Sequence, residues 1–154
     1  MIQIRKATDA DIEALIKSRC RTMCEVCGFG GDYEFSAEFM KATKEYFLHG
    51  DGTTVLAIDD SARAPQIVGN ATLCYTNMMP TFSHPSGKRA HLMNVHVEKE
   101  FRRMRIARRM IELLIHEAKK RGVTEISLDA TDDGRKLYEA MGWHANNEAM
   151  VKDL

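Results

Sequence analysis

The sequence has no long apolar run: nowhere does it approach the ~20 consecutive apolar residues that a bilayer-spanning helix takes. Its opening, MIQIRKATDADIEALIKSRC, scatters charges throughout and holds no apolar stretch long enough for a signal peptide. Net charge is missing as well, since 22 lysines and arginines face 22 aspartates and glutamates. That balance removes the simplest electrostatic case for a nucleic-acid or membrane partner, so any basic region has to be local. Cysteines are few: Cys20, Cys24, Cys27 and Cys74. Without a secretion signal they are expected as reduced thiols in a cytoplasmic protein. Internal repeats and linker-like segments are also absent. What is there suits a folded chain: 44% of the residues are hydrophobic and 29% charged, and 154 residues can bury one substantial core. A single domain over 1–154 is expected.

Ile2, Ile4 and Arg5 suggest a short strand. Thr8 or Asp9 offers a helix cap, Ile12, Leu15, Ile16 and Arg19 follow at helical spacing, and GFGG ends the helix. Ser36 caps a second helix that runs to about Leu48 before HGDG. Residues 53–58 and 67–75 read as strands joined by DDSARAPQ, and residues 90–97 as a third after the loop TNMMPTFSHPSGKR. A long amphipathic helix is expected from about Met104 to Arg121. It gathers Ile106, Met110, Leu113, Leu114 and Ala118 on one face and Arg109, Glu112, His116 and Lys119 on the other. A strand at 125–128, a short helix at about 133–141 and a closing strand within 149–154 complete the order. That mixture predicts an α+β or α/β domain on a mixed sheet, with a parallel crossover around the long helix.

The chemistry concentrates in NVHVEKEFRRMRIARRM, a strand, a short turn and a helix whose start is dense in arginine. A helix N-terminus offers unpaired N–H groups and the positive end of the helix dipole, which suits a pyrophosphate. Arg102, Arg103, Arg105, Arg108 and Arg109 add positive charge at that point. A solvated basic helix face, or a nucleic-acid patch, fits the same residues.

This stretch resembles the acetyl-CoA-binding motif of the GNAT superfamily of N-acetyltransferases, V-x-x-x-x-[RQ]-x-x-G-x-[GA], on Val97, Arg102, Arg105 and Ala107. A second segment, ISLDATDDGRKLYEAMGW, resembles the family's C-terminal motif. Tyr138 falls on its tyrosine, Gly142 and Trp143 on its glycine–aromatic ending, and Thr131 where an asparagine is often found. The opening IRKATDADIEALIKSR is similar to the family's first strand and helix, so the resemblance runs in order through nearly the whole chain.

The resemblance implies an α+β (α/β/α-like) GNAT-type domain with a central mixed, mostly antiparallel sheet flanked by helices. It implies acetyl-CoA as co-substrate, no metal, and transfer of the acetyl group to a small-molecule or peptide amine by direct attack in a ternary complex. No nucleic-acid or membrane partner is implied, and a homodimer is compatible with it. Backbone groups near Val95, His96 and Val97 are expected to hold the pantetheine arm. Arg102, Arg103, Met104, Arg105, Ile106, Ala107 and Arg108 are expected around the pyrophosphate, with Thr131 completing the cofactor site. Tyr138 is expected to protonate the leaving thiolate; without the resemblance it reads as an aromatic packing on the sheet. His91 stands where some relatives place a base, although an exposed strand-end histidine fits it too, and Asn94, Glu98 and Asp129 are further candidates. The departure is Arg105 at the motif's glycine. An arginine is tolerable there if it already lies in the first helical turn, where no positive φ is needed. It also motivates an alternative, a catalytically weak acyl-CoA-binding or sensing domain.

Two other signals are weaker. Cys20, Cys24 and Cys27 have the C-x3-C-x2-C spacing of an iron–sulfur motif, but at i, i+4 and i+7 of a helix they read as a buried packing face. GFGGDYEF lacks the strand before it and the Gly-Lys-Ser/Thr after it that a phosphate loop needs. It reads as a loop between helices, with Phe29, Tyr33 and Phe35 as an apolar wall and Asp32 and Glu34 able to attract a cationic amine, or else as a plain polar surface loop.

Overall fold

Breakers and caps punctuate the chain, and the computed structural model, which describes residues 1–154, follows them closely. Strand β1 (Ile2–Lys6) passes through a short 3₁₀ turn into helix α1 (Ile12–Cys27). The Asp11 carboxylate fixes that approach, accepting from both terminal nitrogens of Arg5 at 2.8 Å and from the Thr8 N–H at 2.8 Å. Gly28, at φ 70°, ends α1 in the left-handed region that a side chain would strain. The Ser36 hydroxyl accepts from the Phe39 N–H at 3.1 Å and starts α2 (Ala37–His49). Then come β2 (Gly52–Asp59), β3 (Gln66–Asn77), β4 (Lys88–Val97), α3 (Ile106–Lys120), β5 (Glu125–Leu128) and α4 (Asp132–Ala140).

The five strands form one sheet in sequence order. The first three pairings are antiparallel and β4–β5 is parallel, with α3 as the crossover. The architecture is therefore α+β with a mixed, mostly antiparallel sheet, as expected. On one face, Ile106, Met110, Ile111, Leu114 and Ala118 of α3 bury against Val55, Ala57, Val68, Ala71, Leu73, Ala90 and Leu92. Leu137 and Tyr138 of α4 pack on the same cluster. The opposite face carries α1, where Leu15 meets Leu56 and Ile58 beside Phe47 of α2.

One irregularity positions everything that follows. Asn70 of β3 lies opposite His96 while Thr72 lies opposite Met93, so β4 carries one residue more than its partner over that step. Asn94, at φ 58°, absorbs the surplus as a bulge. Asparagine tolerates this conformation better than most residues do. Because side chains alternate along a strand, the extra residue swaps the faces of β4. Ala90 and Leu92 reach the α3 core before it and Val95 and Val97 after it, while Asn94 and His96 turn toward α1. Buried Asn70 holds the bulge, donating to the Asn94 carbonyl at 2.6 Å and accepting from Ser18 of α1. Beyond this point β5 no longer follows: its register stops at Leu92↔Leu128, so β4 from Met93 onward has no strand beside it on that edge.

Three expectations need correction. Residues 149–154 form no strand and pair with no edge of the sheet; Met150, Val151 and Leu154 lie exposed. Local pattern suggests extended chain, but it does not say whether an edge is within reach. The cysteines do not form one buried face: Cys20 and Cys24 are half-buried and Cys27 is exposed. The packed stripe of α1 runs instead through Leu15, Ser18 and Thr22. The long helix also starts two residues later than expected, for a reason that belongs to the site. No helix is long and apolar enough to cross a membrane.

Candidate functional site

From the end of β4 a 3₁₀ turn (Lys99–Phe101) leads through Arg102–Arg105 to α3. Arg103 (φ 67°) and Arg105 (φ 60°) are both left-handed, so the helix cannot include them and begins at Ile106. The expectation that Arg105 sits in the first turn, free of any positive φ, is overturned. Arg105 adopts the backbone conformation that the motif's glycine supplies, although it is an arginine and pays about 1–2 kcal/mol of steric strain for it. The result is a concave run of backbone: the N–H groups of Arg103, Met104 and Arg105 make no hydrogen bond within the protein, and those of the first turn of α3 follow directly. Alternating conformations of this kind build anion-binding nests.

The charges here have the wrong sign for the helix alone. A helix N-terminus is stabilised by acids, yet the first turn of α3 has none and its approach is arginine-rich. Arg108 is paired with Glu112 at 2.9 Å and Arg109 reaches the Ile2 carbonyl at 3.2 Å. Arg103 and Arg105 are exposed, and neither side chain has a carboxylate partner. Arg102 behaves differently: its Nε donates to the Val97 carbonyl at 2.9 Å and its Nη2 pairs with Glu25 at the end of α1. That side chain ties the loop to β4 and α1, so its expected support of a phosphate is indirect, through the loop's shape. Ile106 is buried and anchors the first turn in the core, Ala107 is half-buried behind it, and Met104 is exposed.

His96 lies just inside this lattice. Its side chain is 7% exposed, and Nε2 stands 3.5 Å from Glu25 and 4.0 Å from Glu98 without a hydrogen bond to either. Burial pushes its pKa down, and Glu25 opposes this only in part, so it is held neutral. Glu98 itself pairs with Arg21.

Helix α4 follows β5 and packs Leu137 and Tyr138 on the α3 side of the sheet. The Thr131 hydroxyl accepts from the Gly134 N–H at 3.2 Å and starts this helix. The Trp143 indole donates to the Ile126 carbonyl at 3.2 Å and meets the Tyr138 ring edge-on at 5.9 Å. Burial pushes the Tyr138 phenol up, so it keeps its proton, and its hydroxyl is bonded to no protein group. His91 shares a sheet face with Met93, its Nδ1 at 2.8 Å from Ser127 Oγ and its Nε2 at 3.5 Å from Asp129.

On the α1–α2 face a cavity of about 370 Å³ reaches the bulge, lined by Arg19, Phe39, Phe47, Cys74, Met93 and Asn94 among others. Phe29, Tyr33, Phe35 and Phe39 contact in succession, stacked at 4.2 Å, edge-on at 4.9 Å and stacked at 4.7 Å between centroids. Phe29, Tyr33 and Phe35, the expected apolar wall, do contact one another but none of them lines the cavity; Phe39, at the end of the series, does. Asp32 and Glu34 lie exposed and do not line it. Sequence reasoning missed Phe39, Met93 and the guanidinium of Arg19. The available signal was Arg19 itself, a charge on the apolar stripe of α1.

The strain at Arg105 predicts a simple contrast. Arg105→Gly is expected to be at least as stable as the native protein, because the lost strain offsets glycine's greater unfolded-state freedom. Arg105→Val, β-branched and ill-suited to positive φ, is expected to lose about 1 kcal/mol or more. Urea midpoints of the two variants measure this, and a stable valine variant would contradict the left-handed assignment.

Residues 16–143 match the acetyltransferase (GNAT) family. No curated protein matches the sequence. Among solved structures, the chain is 25% identical to a predicted acetyltransferase from Clostridium acetobutylicum solved with acetyl-CoA. That similarity covers 99% of this chain and 96% of the other, at a TM-score of 0.86. A GCN5-related N-acetyltransferase from Ralstonia eutropha shares the fold at 22% identity, over 100% and 99% of the two chains, with a TM-score of 0.76. So does an aminoglycoside acetyltransferase from an uncultured soil sample, solved in complex with trehalose, at 15% identity over 99% and 95% and a TM-score of 0.75. The match runs from within α1 to the Gly142–Trp143 ending, and with the bulged strand, the nest and the α4 tyrosine in order behind it, the chain belongs to the GNAT family of acetyltransferases.

Proposed function

We propose that the protein is an N-acetyltransferase that moves the acetyl group of acetyl-CoA onto a primary amine by direct attack in a ternary complex. The observation that carries this reading is the start of α3. Unbonded N–H groups, two unpaired arginines and a first turn without acids lie at the end of a strand edge that has no neighbour. A pyrophosphate on the N–H groups of residues 103–108 would supply the missing negative charge. The edge of β4 around Val95–Val97 that has no strand beside it offers backbone groups to the two amides of a pantetheine arm, much as a strand would, with the Val97 carbonyl already held by Arg102. Thr131, at the head of α4, joins the cofactor site by its place in the C-terminal motif. The relative from Clostridium acetobutylicum, solved with acetyl-CoA, supports the choice of co-substrate.

Each chemical role then falls to one side chain. Tyr138, kept protonated by burial, gives its proton to the sulfur as the carbon–sulfur bond breaks. His91, on the sheet face that carries the cavity, takes the proton of the attacking amine through water. Arg105 keeps the glycine-like conformation, which favours a working site over a weakened sensor. The cytoplasm is the proposed setting, and four unpaired thiols suit it.

Acetyl-CoA at a hundredfold excess over Kd is expected to stabilise the native state by about 2.7 kcal/mol. An unchanged Tm at millimolar acetyl-CoA would count against the cofactor assignment. Tyr138→Phe keeps the ring against Trp143 but removes the proton, so kcat is expected to fall by about 10²–10⁴ while the KM for acetyl-CoA and the Tm stay put. A phenylalanine variant at full rate would remove Tyr138 from the mechanism while leaving the cofactor site intact.

A further inference from the structure

An enzyme that acetylates a cationic amine has reason to line its acceptor pocket with carboxylates. This one has none: the cavity beside the bulge is walled by Phe39, Ala42, Phe47 and Met93, and the only charged side chain in it is Arg19. Arg19 forms no salt bridge. Its single hydrogen bond within the protein is a long one, 3.4 Å from Nη1 to Asn94 Oδ1. A half-buried guanidinium carries five donors in a planar fork that matches a carboxylate, and leaving it without an anion is unfavourable. Burial indeed pulls its pKa downward, with only cysteine thiols nearby to oppose the shift. The uncompensated cation also repels an ammonium that brings no negative charge of its own.

Resting on the acetyltransferase reading above, we infer that the acceptor is a free amino acid with an apolar side chain. Its carboxylate pairs with Arg19, its side chain fills the cavity, and its amine is presented at the bulge. Distance and size support this class. Arg19 touches Asn94, the bulge residue itself, so an anion held there lies close to the reacting amine, as the carboxylate of an α-amino acid does. A volume of about 370 Å³ is near the lower end of small-molecule pockets, which run from about 300 to 1,000 Å³. It suits an amino acid better than a polycationic aminoglycoside. The proximity of Arg19 also favours the neutral, attacking form of the amine. The reaction balances without a further reagent. The amine nitrogen bonds to the acetyl carbon, the carbon–sulfur bond breaks, the thiol leaves protonated, and the nitrogen gives up one proton to solvent.

The test uses the full-length protein, acetyl-CoA and matched acceptors: L-phenylalanine, L-leucine and L-methionine, the amides of each, phenethylamine and isopentylamine, and spermidine and kanamycin. Thiol release gives kcat/KM for each. The free amino acids are expected to lead, and loss of the carboxylate as amide or amine to cost about ten- to a hundredfold, the worth of a charge-assisted pair. Arg19→Gln is expected to abolish the difference between L-phenylalanine and phenethylamine, and the Tm gain from acetyl-CoA checks that the variant is folded. Calorimetry in the presence of CoA is expected to show the native protein binding L-phenylalanine more tightly than phenethylamine. Equal or better turnover of the amines or polycations overturns the inference, as does an Arg19→Gln variant that keeps the native preference. If acetyl-CoA raises Tm but no amino acid is acetylated, the acceptor class is wrong and the cofactor reading stands. If acetyl-CoA neither binds nor is consumed, both fall together.

Discussion

Asn94 sits at φ 58° in the middle of a strand, and the rest of the site depends on that one extra residue in β4. Without it, the alternation that buries Ala90 and Leu92 against α3 would carry Asn94 and His96 into the same core, and two polar groups would be buried without partners. With it, Val95 and Val97 continue the core while Asn94 and His96 turn to α1, where Arg19 and Glu25 meet them. The bulge also coincides with the point where β5 parts from β4. The Asn70 amide and Ser18 hydroxyl hold the bulge from the side of α1, so the strain is stored beside a buried pair of hydrogen bonds.

Electrostatics gives the opened edge its purpose. A chain with no net charge places unpaired arginines where a helix dipole is already positive, and it leaves the adjoining backbone N–H groups unbonded. As internal interactions these are unfavourable; as a receptor for a polyanion they add together. On the other face of the sheet the same logic repeats on a smaller scale, with one guanidinium in an otherwise uncharged cavity. Asn94 belongs both to the unpaired edge of β4 and to the cavity lining. On the proposed reading, a cofactor along that edge would lie beside an acceptor in the cavity.

The elements were legible because each has a local cause. Ser36, Gly28, Gly122 and the apolar stripe of the long helix specify caps and faces without reference to anything distant. The two motifs likewise exposed the strand–loop–helix and the α4 tyrosine. What local pattern could not carry is partnership. The closing strand failed because no edge receives residues 149–154, and the cysteine face failed because α1 rotates Ser18 and Thr22, not Cys27, toward the sheet. Arg105 looked acceptable as a helical residue, whereas the turn before α3 demands a positive φ that no composition reveals. The pairing of Arg102 was not legible because Glu25, its partner, lies 77 residues away in the chain. Asn70 went unremarked for the same reason, as its partners are Ser18 and Asn94.

On the proposed reading, one continuous stretch of backbone, the free edge of β4 running into the nest before α3, receives acetyl-CoA. Amide hydrogen exchange, followed residue by residue with and without acetyl-CoA, tests it most directly. Slowed exchange is expected within 93–97 and 103–108, with little change along the aromatic series from Phe29 to Phe39. Slowing confined to the α1–α2 loop, or binding that leaves both backbone segments exchanging at their free rates, would contradict it.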